Sequence, residues 1–206
     1  MENTAQETSP STAADAVPQP GDPRHDFAIV TGVVAELIAN VDADQFALIT
    51  PCPEFTVADV LAHIVGNQRS LAALGRGEGW QDAVGEPVTD GFAEQFAAAS
   101  HEVMEAWTDP AKLGEMYEVP WGVMPGAALV GSYVGEQAVH GWDIAQATGQ
   151  TIEIDDAVLQ PALDGLRFGL PAEGRGAEIP FGPVVVPESP DASTLDHLAG
   201  WSGRQV

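Results

Sequence analysis

The stretch Glu136-Gln137-Ala138-Val139-His140-Gly141-Trp142-Asp143 lies inside a run, residues 125–148, that is rich in alanine, valine and leucine. Four residues of an α-helix turn the chain by about 400°, so Glu136 and His140 share one face if this run is helical. Asp143 then joins the same stripe. A glutamate and a histidine at this spacing can bind one metal ion together, as in zinc sites built on helices. The spacing alone still favours a solvated polar face, because such pairs are common on exposed helices.

Helical patterns both precede and follow this run. Their apolar residues recur at three- and four-residue spacing, which is typical of helices with one buried face. The predicted helices at residues 26–41, 57–74 and 91–107 make four with the 125–148 run. A shorter helix is predicted at 155–168, and a last helical turn or two at 193–201. The helix at 57–74 has a clear start, because Thr56 is a good N-cap and Asp59 follows at the capping-box position.

Strands are weakly indicated. Residues 116–123 have some strand character, but Pro120 and Gly122 interrupt it. Four substantial helices without a clear run of strands predict an all-α four-helix bundle with a short C-terminal extension. Residues 1–24 lack any helical or strand period and are predicted to form a disordered tail, so the helical domain is expected at residues 25–206.

The composition excludes several classes of function. The 206 residues include 31 acidic and 7 basic side chains, which give a formal net charge of -24. This charge repels phosphate backbones and anionic lipid, so neither nucleic acid nor a membrane surface is an expected partner. A single cysteine, Cys52, excludes an intrachain disulfide, and neither a signal peptide nor a membrane-spanning run is recognisable. A soluble, cytoplasmic protein is expected.

A third ligand for a metal ion must come from outside the 125–148 run. Of the five histidines, His63 is the best candidate, because it lies in a mainly apolar helix. A histidine there is more often packed and hydrogen-bonded than metal-bound. Together, His63, Glu136 and His140 form a set that leaves the fourth position of a tetrahedral zinc ion open, as in catalytic sites. Asp143 either orients a ligand imidazole or forms a surface or capping salt bridge.

Three further residues have two interpretations each. Cys52 lies close to a helix N-terminus, which can lower the pKa of a thiol, but a small buried residue is the favoured interpretation. Trp121 and Trp142 can line a pocket, although packing in the core is the commoner role of tryptophan.

Three segments carry a resemblance to a known family. The segment Thr50-Pro51-Cys52-Pro53-Glu54-Phe55-Thr56-Val57-Ala58-Asp59-Val60-Leu61-Ala62-His63-Ile64-Val65-Gly66 resembles the start of the second helix in the DinB-like metal-binding superfamily. The segment 135–149 is similar to the Glu-x-x-x-His-x-Trp-Asp helix of the branch that contains the N-terminal domain of mycothiol-dependent maleylpyruvate isomerase. Segments 181–187 and 195–204 look like the tail of small actinobacterial metal-binding proteins in this group. Phe55 stands where the family usually has tryptophan.

The resemblance implies a DinB-like four-helix bundle and a divalent metal ion, zinc first, held by His63, Glu136 and His140. It leaves two functions open. One is a mycothiol-dependent transferase or isomerase in which a thiol cofactor attacks an electrophilic substrate. The other is a non-catalytic metal-binding or stress-associated protein. For a sugar-rich thiol, the predicted contacts are Asn67, Gln68 and tryptophan side chains, with the cations Arg69, Arg76 and Arg167.

Overall fold

Six α-helices and one β-hairpin make up the part of the chain that the computed structural model describes, residues 17–80, 87–175 and 181–206. The helices are α1 (Pro23–Ala39), α2 (Val57–Gly75), α3 (Phe92–Ala106), α4 (Gly126–Thr148), α5 (Asp156–Gly169) and α6 (Thr194–Trp201). Single 3-10 turns occupy Ala43–Gln45 and Pro110–Gly114. The hairpin pairs β1 (Met116–Val119) with β2 (Gly122–Pro125) in antiparallel register.

Helices α1 to α4 form a four-helix bundle. α1 packs against α3 and α4, and α2 packs against the same two helices, so α1 and α2 occupy opposite corners. α5 and α6 pack against each other and against the outer side of α4. The predicted all-α bundle with a short C-terminal extension is therefore confirmed. No helix among the described residues is long and apolar enough to cross a membrane.

Helix α4 is the central element of the fold. Every residue from 137 to 145 is buried, because neighbouring helices cover α4 on several sides. Gly141 permits the close approach of α1, since a Cβ atom there would lie 3.1 Å from Cγ2 of Val34. Polar side chains in this stretch must therefore find partners inside the protein. This requirement makes Gln137, His140 and Asp143 candidates for specific roles.

The helix ends follow the signals in the sequence, with one shift. Thr56 and Asp59 form the predicted capping box at the start of α2, and Gly149 ends α4 at a positive φ of 71°. α1 begins at Pro23, three residues before the predicted start, because Asp22 caps it. Arg24, predicted to belong to the disordered tail, is buried and donates hydrogen bonds to the carbonyl oxygens of residues 107 and 108. Residues 1–16 of that predicted tail lie outside the described residues.

The hairpin shows why the strand signal is weak. Pro120 and Trp121 lie between the paired ends of the two strands, and Gly122 has a positive φ of 144°. The residues that interrupt the strand pattern therefore form the turn of a short hairpin. Its second strand leads directly into α4, and the amide of Gly126 donates a hydrogen bond to the carbonyl oxygen of Glu115.

Candidate metal centre

Two adjacent helices bring together the three side chains singled out from the sequence. His63 lies in the second turn of α2, and Glu136 and His140 lie one turn apart on α4. One ligand atom from each of these residues lies within 4.8 Å of the others. The two imidazole rings meet edge to face, with their centroids 4.8 Å apart. The predicted histidines and glutamate therefore share one site between α2 and α4.

Both histidines point their Nε2 atoms at the same carboxylate oxygen. Nε2 of His63 lies 2.9 Å from Oε1 of Glu136, and Nε2 of His140 lies 3.2 Å from that oxygen. Asn67, one turn after His63, donates from Nδ2 to the same oxygen at 3.2 Å. Two imidazole nitrogens and a carboxylate oxygen are the donor types that zinc and other divalent transition metals accept.

In this cluster, a positive charge on His140 and a negative charge on Glu136 stabilise each other. Burial opposes a charge on His140, but the Glu136 carboxylate and the hydrogen bond to Asp143 outweigh it and raise the pKa of His140 to about 9. Burial favours the protonated, neutral form of Glu136. The charges and hydrogen bonds of His140 and His63 outweigh this effect and hold the pKa of the carboxyl well below its ordinary value. Glu136 is therefore a carboxylate at neutral pH, the form that ligates a metal ion.

Asp143 orients His140 from inside the protein. It has no exposed surface, and its Oδ2 lies 3.0 Å from Nδ1 of His140. Arg204 donates to the same carboxylate from Nη2 at 2.8 Å and from Nε at 3.2 Å. Of the two interpretations of Asp143, the surface salt bridge is wrong, because the residue is buried and contacts the imidazole. With Nδ1 occupied, the Nε2 atom of His140 is the one that faces Glu136.

The loop before α2 adds two residues to this region. Phe55 contacts His63 edge to face, with ring centroids 5.9 Å apart. The sulfur of Cys52 lies within 4.8 Å of a ring nitrogen of His140 and a carboxylate oxygen of Asp143. Burial raises the pKa of the Cys52 thiol, and the positive charge of Arg204 only partly opposes this. The thiol is therefore not activated as a helix N-terminus would activate it, and Cys52 is partly rather than fully buried.

Aromatic residues border the Glu136 side of the cluster. Tyr133 precedes Glu136 by one turn, and burial raises the pKa of its hydroxyl to about 12, with a hydrogen bond to Trp80 opposing and the charge of Glu136 adding to the rise. Trp121 contacts Trp80 edge to face at 6.2 Å and is 56% exposed, so core packing of Trp121 is wrong. Trp142 is buried in the core, as the commoner role predicts.

The other residues that are predicted to contact a thiol cofactor interact with side chains of the protein instead. Gln68 is buried and donates to Gln137, so it does not face a ligand. Arg69 donates to Gln95, and Arg76 pairs with two glutamates, Glu78 and Glu102. The guanidinium of Arg167 stacks over the ring of Trp201.

Two residues of the site were not predicted in the roles that they have. The sequence does not single out Arg204, although it is one of only seven basic residues in the chain and follows a predicted helix. Asn67 is predicted to contact a thiol, but its amide donates to Oε1 of Glu136 and lies 3.0 Å from Nε2 of His63. Neither role has a local sequence signal, because both depend on contacts between separate elements.

Comparisons with known proteins identify a family and two relatives. The family model described as the mycothiol maleylpyruvate isomerase N-terminal domain matches residues 27–145, a segment that contains His63, Glu136 and His140. Two uncharacterized proteins of Mycobacterium tuberculosis, from strains CDC 1551 and H37Rv, are each 32% identical to the chain over 174 residues. The alignment covers 84% of this chain and 92% of each relative. No solved structure matches the chain significantly.

Proposed function

The chain belongs to the family of the mycothiol maleylpyruvate isomerase N-terminal domain, and on this premise we propose that it binds one divalent metal ion, preferentially zinc, through His63, Glu136 and His140. One observation carries the proposal: two Nε2 atoms on different helices converge on Oε1 of Glu136, at 2.9 and 3.2 Å. A divalent ion would be held by these three atoms, and it would take the place of their direct contacts with one another.

The surroundings of the three residues fit such an ion. Asp143 accepts from Nδ1 of His140, so Nε2 is the ring nitrogen that can ligate an ion once it has lost its proton. Asn67 donates to Glu136 and limits the rotation of its carboxylate. His63 keeps 37% of its side-chain surface exposed and Glu136 keeps 34%, so the site is accessible from outside. Three protein ligands and one accessible side are the arrangement of a catalytic rather than a structural zinc site.

The chemistry proposed for this site is that of a thiol-dependent transferase or isomerase. A divalent ion supplies Lewis acidity, which lowers the pKa of a water molecule or thiol that binds to it. The family description names mycothiol, and we assign a low-molecular-weight thiol of this kind as cofactor and an electrophilic small molecule as substrate. The chain's own residues orient the ligands, and the Phe55 ring packs edge to face against His63.

A non-catalytic metal-binding or stress-associated protein is the second candidate. The observation that favours it is the extent of the family match, which covers the N-terminal domain of the isomerase and ends at residue 145. The residues that follow include α5 and α6, which pack on α4. Such a protein would bind the ion and have the same fold, but it would catalyse no reaction.

Metal analysis of the purified chain tests the metal centre. We expect about one divalent ion per chain, and we expect His140→Ala to lose most of it, because the substitution removes one of three protein ligands. His101→Ala is the matched control, since His101 is exposed and pairs only with Glu105 among its described contacts. A variant that lacks all three ligands but retains the full metal content would contradict the proposal.

Calorimetry with mycothiol separates the two candidate functions. Binding to the zinc-loaded chain but not to His140→Ala supports the thiol-dependent enzyme. If zinc-loaded protein binds no thiol at millimolar concentration, the non-catalytic metal-binding protein is the better account.

A further inference from the structure

Asp143 is fixed from two sides. Its carboxylate has no exposed surface and accepts from Nδ1 of His140 on one side. On the other side, Arg204 donates to Oδ1 at 3.2 Å and to Oδ2 at 2.8 Å. A planar guanidinium that contacts both oxygens defines the plane of a carboxylate as well as its position. The plane of Asp143 in turn sets the direction of its bond to His140.

Arg204 reaches this position because the chain turns back after α6. Gly203 adopts a positive φ of 90°, and the amide of Arg204 donates to the carbonyl oxygen of Ala199. Gly203 packs directly on Gly182, since a Cβ atom added to Gly203 would lie 2.8 Å from the Cα atom of Gly182. In this position Arg204 is only 6% exposed. It contacts Asp143 even though the two residues lie 61 positions apart in the sequence.

A second arginine holds the same segment without touching Asp143. Nη1 of Arg175 donates to the carbonyl oxygens of Gly182 and Trp201, at 2.8 and 2.6 Å. The Arg175 guanidinium also stacks over the ring of Trp201. Loss of Arg175 therefore loosens the segment that carries Arg204 but removes no partner of the carboxylate. This difference provides a matched control.

We propose that Arg204 is a positioning residue of the metal centre: through Asp143 it fixes the His140 ring so that Nε2 faces Glu136 and His63. The inference rests on the proposed metal-binding function. Arg204 lies beyond the family-matched segment, which ends at residue 145. The C-terminal extension therefore completes the site that the bundle carries, and it does so through one side chain.

Zinc affinity of the full-length chain tests the role of Arg204. Competition against a chromophoric chelator is to be measured for the wild type, Arg204→Gln and Arg204→Lys. We expect Arg204→Gln to weaken binding by about 10- to 100-fold, the usual effect of removing a group that orients a metal ligand. Arg204→Lys keeps the charge but loses the planar fork, so it should recover only part of this loss.

Two controls separate positioning from a general loss of structure. Circular dichroism of the ion-free variants reports whether each is folded, and Arg204→Lys carries the test if Arg204→Gln does not fold. Arg175→Gln should lower the melting temperature but weaken zinc binding much less than Arg204→Gln does, because Asp143 keeps both of its partners. In the cobalt-loaded chain, Arg204→Lys should also shift the visible absorption bands, because the ligand geometry changes.

A double-mutant cycle tests whether Arg204 acts through Asp143. In an Asp143→Asn background, Arg204→Gln should cause little further loss of affinity, since its partner is already altered. Wild-type affinity in folded Arg204→Gln and Arg204→Lys, or an undiminished effect of Arg204→Gln in the Asp143→Asn background, would overturn the inference. A wild-type chain that binds no divalent ion overturns the proposed function itself, and this inference with it.

Discussion

His140 carries a proton on each ring nitrogen at neutral pH in the ion-free chain. Burial opposes the second proton, but Glu136 and Asp143 outweigh that effect and raise the pKa to about 9. Nδ1 is engaged by Asp143, so the proton that faces Glu136 is on Nε2. A metal ion that binds Nε2 must displace this proton. Metal binding and protonation therefore compete at one atom.

This competition predicts pH-dependent zinc binding. Below pH 9 each further unit of acidity favours the protonated imidazole, so zinc affinity should fall by about tenfold per pH unit or more. Competition titrations between pH 6 and pH 7 measure the slope, and calorimetry in two buffers with different heats of ionisation counts the released protons. His101→Gln should leave the slope unchanged. An affinity that is constant over this range would contradict the raised pKa of His140 or its role as a ligand, and the metal content of His140→Ala decides between the two.

Glu54 has a backbone conformation that glutamate rarely adopts. Its φ is 69°, in the turn that brings Cys52 and Phe55 close to His140 and His63. A side chain with a Cβ atom is disfavoured there by about 1–2 kcal/mol, and a β-branched one by more. We therefore expect Glu54→Gly to match or exceed the wild-type free energy of unfolding. Glu54→Val should lower it by about 1–2 kcal/mol.

Urea unfolding of the two Glu54 variants makes this comparison, with Glu54→Asn as the intermediate case because asparagine tolerates positive φ. Equal stability of the valine and glycine variants would mean that the turn has another conformation in solution.

Between α1, α2 and α4 lies a buried polar pair. Gln68 donates from Nε2 to Oε1 of Gln137 at 2.9 Å, and the Thr31 hydroxyl donates to the same oxygen. Within the described residues, Oε1 of Gln68 and Nε2 of Gln137 have no hydrogen-bond partner. Buried polar atoms without partners destabilise a fold, so this pair contributes less than its bond suggests.

The pair should therefore behave cooperatively on mutation. Gln137→Met leaves the Gln68 donor without an acceptor and should cost about 1–3 kcal/mol. The double substitution with Gln68→Met removes both groups and should cost less than the sum of the two single changes, by about 1 kcal/mol or more. Urea denaturation of the four proteins gives the coupling energy. Additive losses would indicate that another group, such as a buried water molecule, satisfies each glutamine separately.

Elements differ in how far a single sequence predicts them. The helices of the bundle are predictable because their apolar residues repeat at the helical period, and the Thr56 capping box is a local signal. The His63, Glu136 and His140 site is partly predictable, since an i, i+4 pair is visible on one helix. The hairpin is difficult to predict from the sequence because its strands have four residues each and its turn contains proline. The role of Arg204 is difficult to predict because its partner, Asp143, lies 61 residues away in the sequence.

Across the whole molecule, few basic residues offset the acidic ones. Arg24, Arg76 and Arg204 pair with carboxylates among the described contacts. Lys112 and Arg175 donate to backbone carbonyl oxygens. Since the chain has 31 acidic and 7 basic residues, most carboxylates must remain without a cationic neighbour. Their mutual repulsion opposes the compact state.

Salt should therefore stabilise this protein. Exposed charges are screened within about 8–10 Å at ordinary ionic strength, so sodium chloride weakens the repulsion more in the folded chain than in the expanded unfolded chain. We expect a gain of about 1–2 kcal/mol, or roughly 3–6 °C in melting temperature, between low salt and 0.5 M sodium chloride. Sodium chloride screens the charges mainly at concentrations up to a few tenths molar. The exclusion of salt from the protein surface also stabilises the folded chain, and this effect continues to grow at higher concentrations.

A variant with fewer charges distinguishes these two effects. Glu36, Glu118 and Glu173 are exposed, and their joint substitution by glutamine removes three charges without disturbing the buried groups. This variant should melt at a higher temperature than the wild type in low salt, and it should gain less from added salt, because less repulsion remains to be screened. Thermal unfolding followed by circular dichroism over a salt series measures both. If the wild-type melting temperature stays constant or falls as salt is added, the carboxylates are spaced too widely for their repulsion to influence stability.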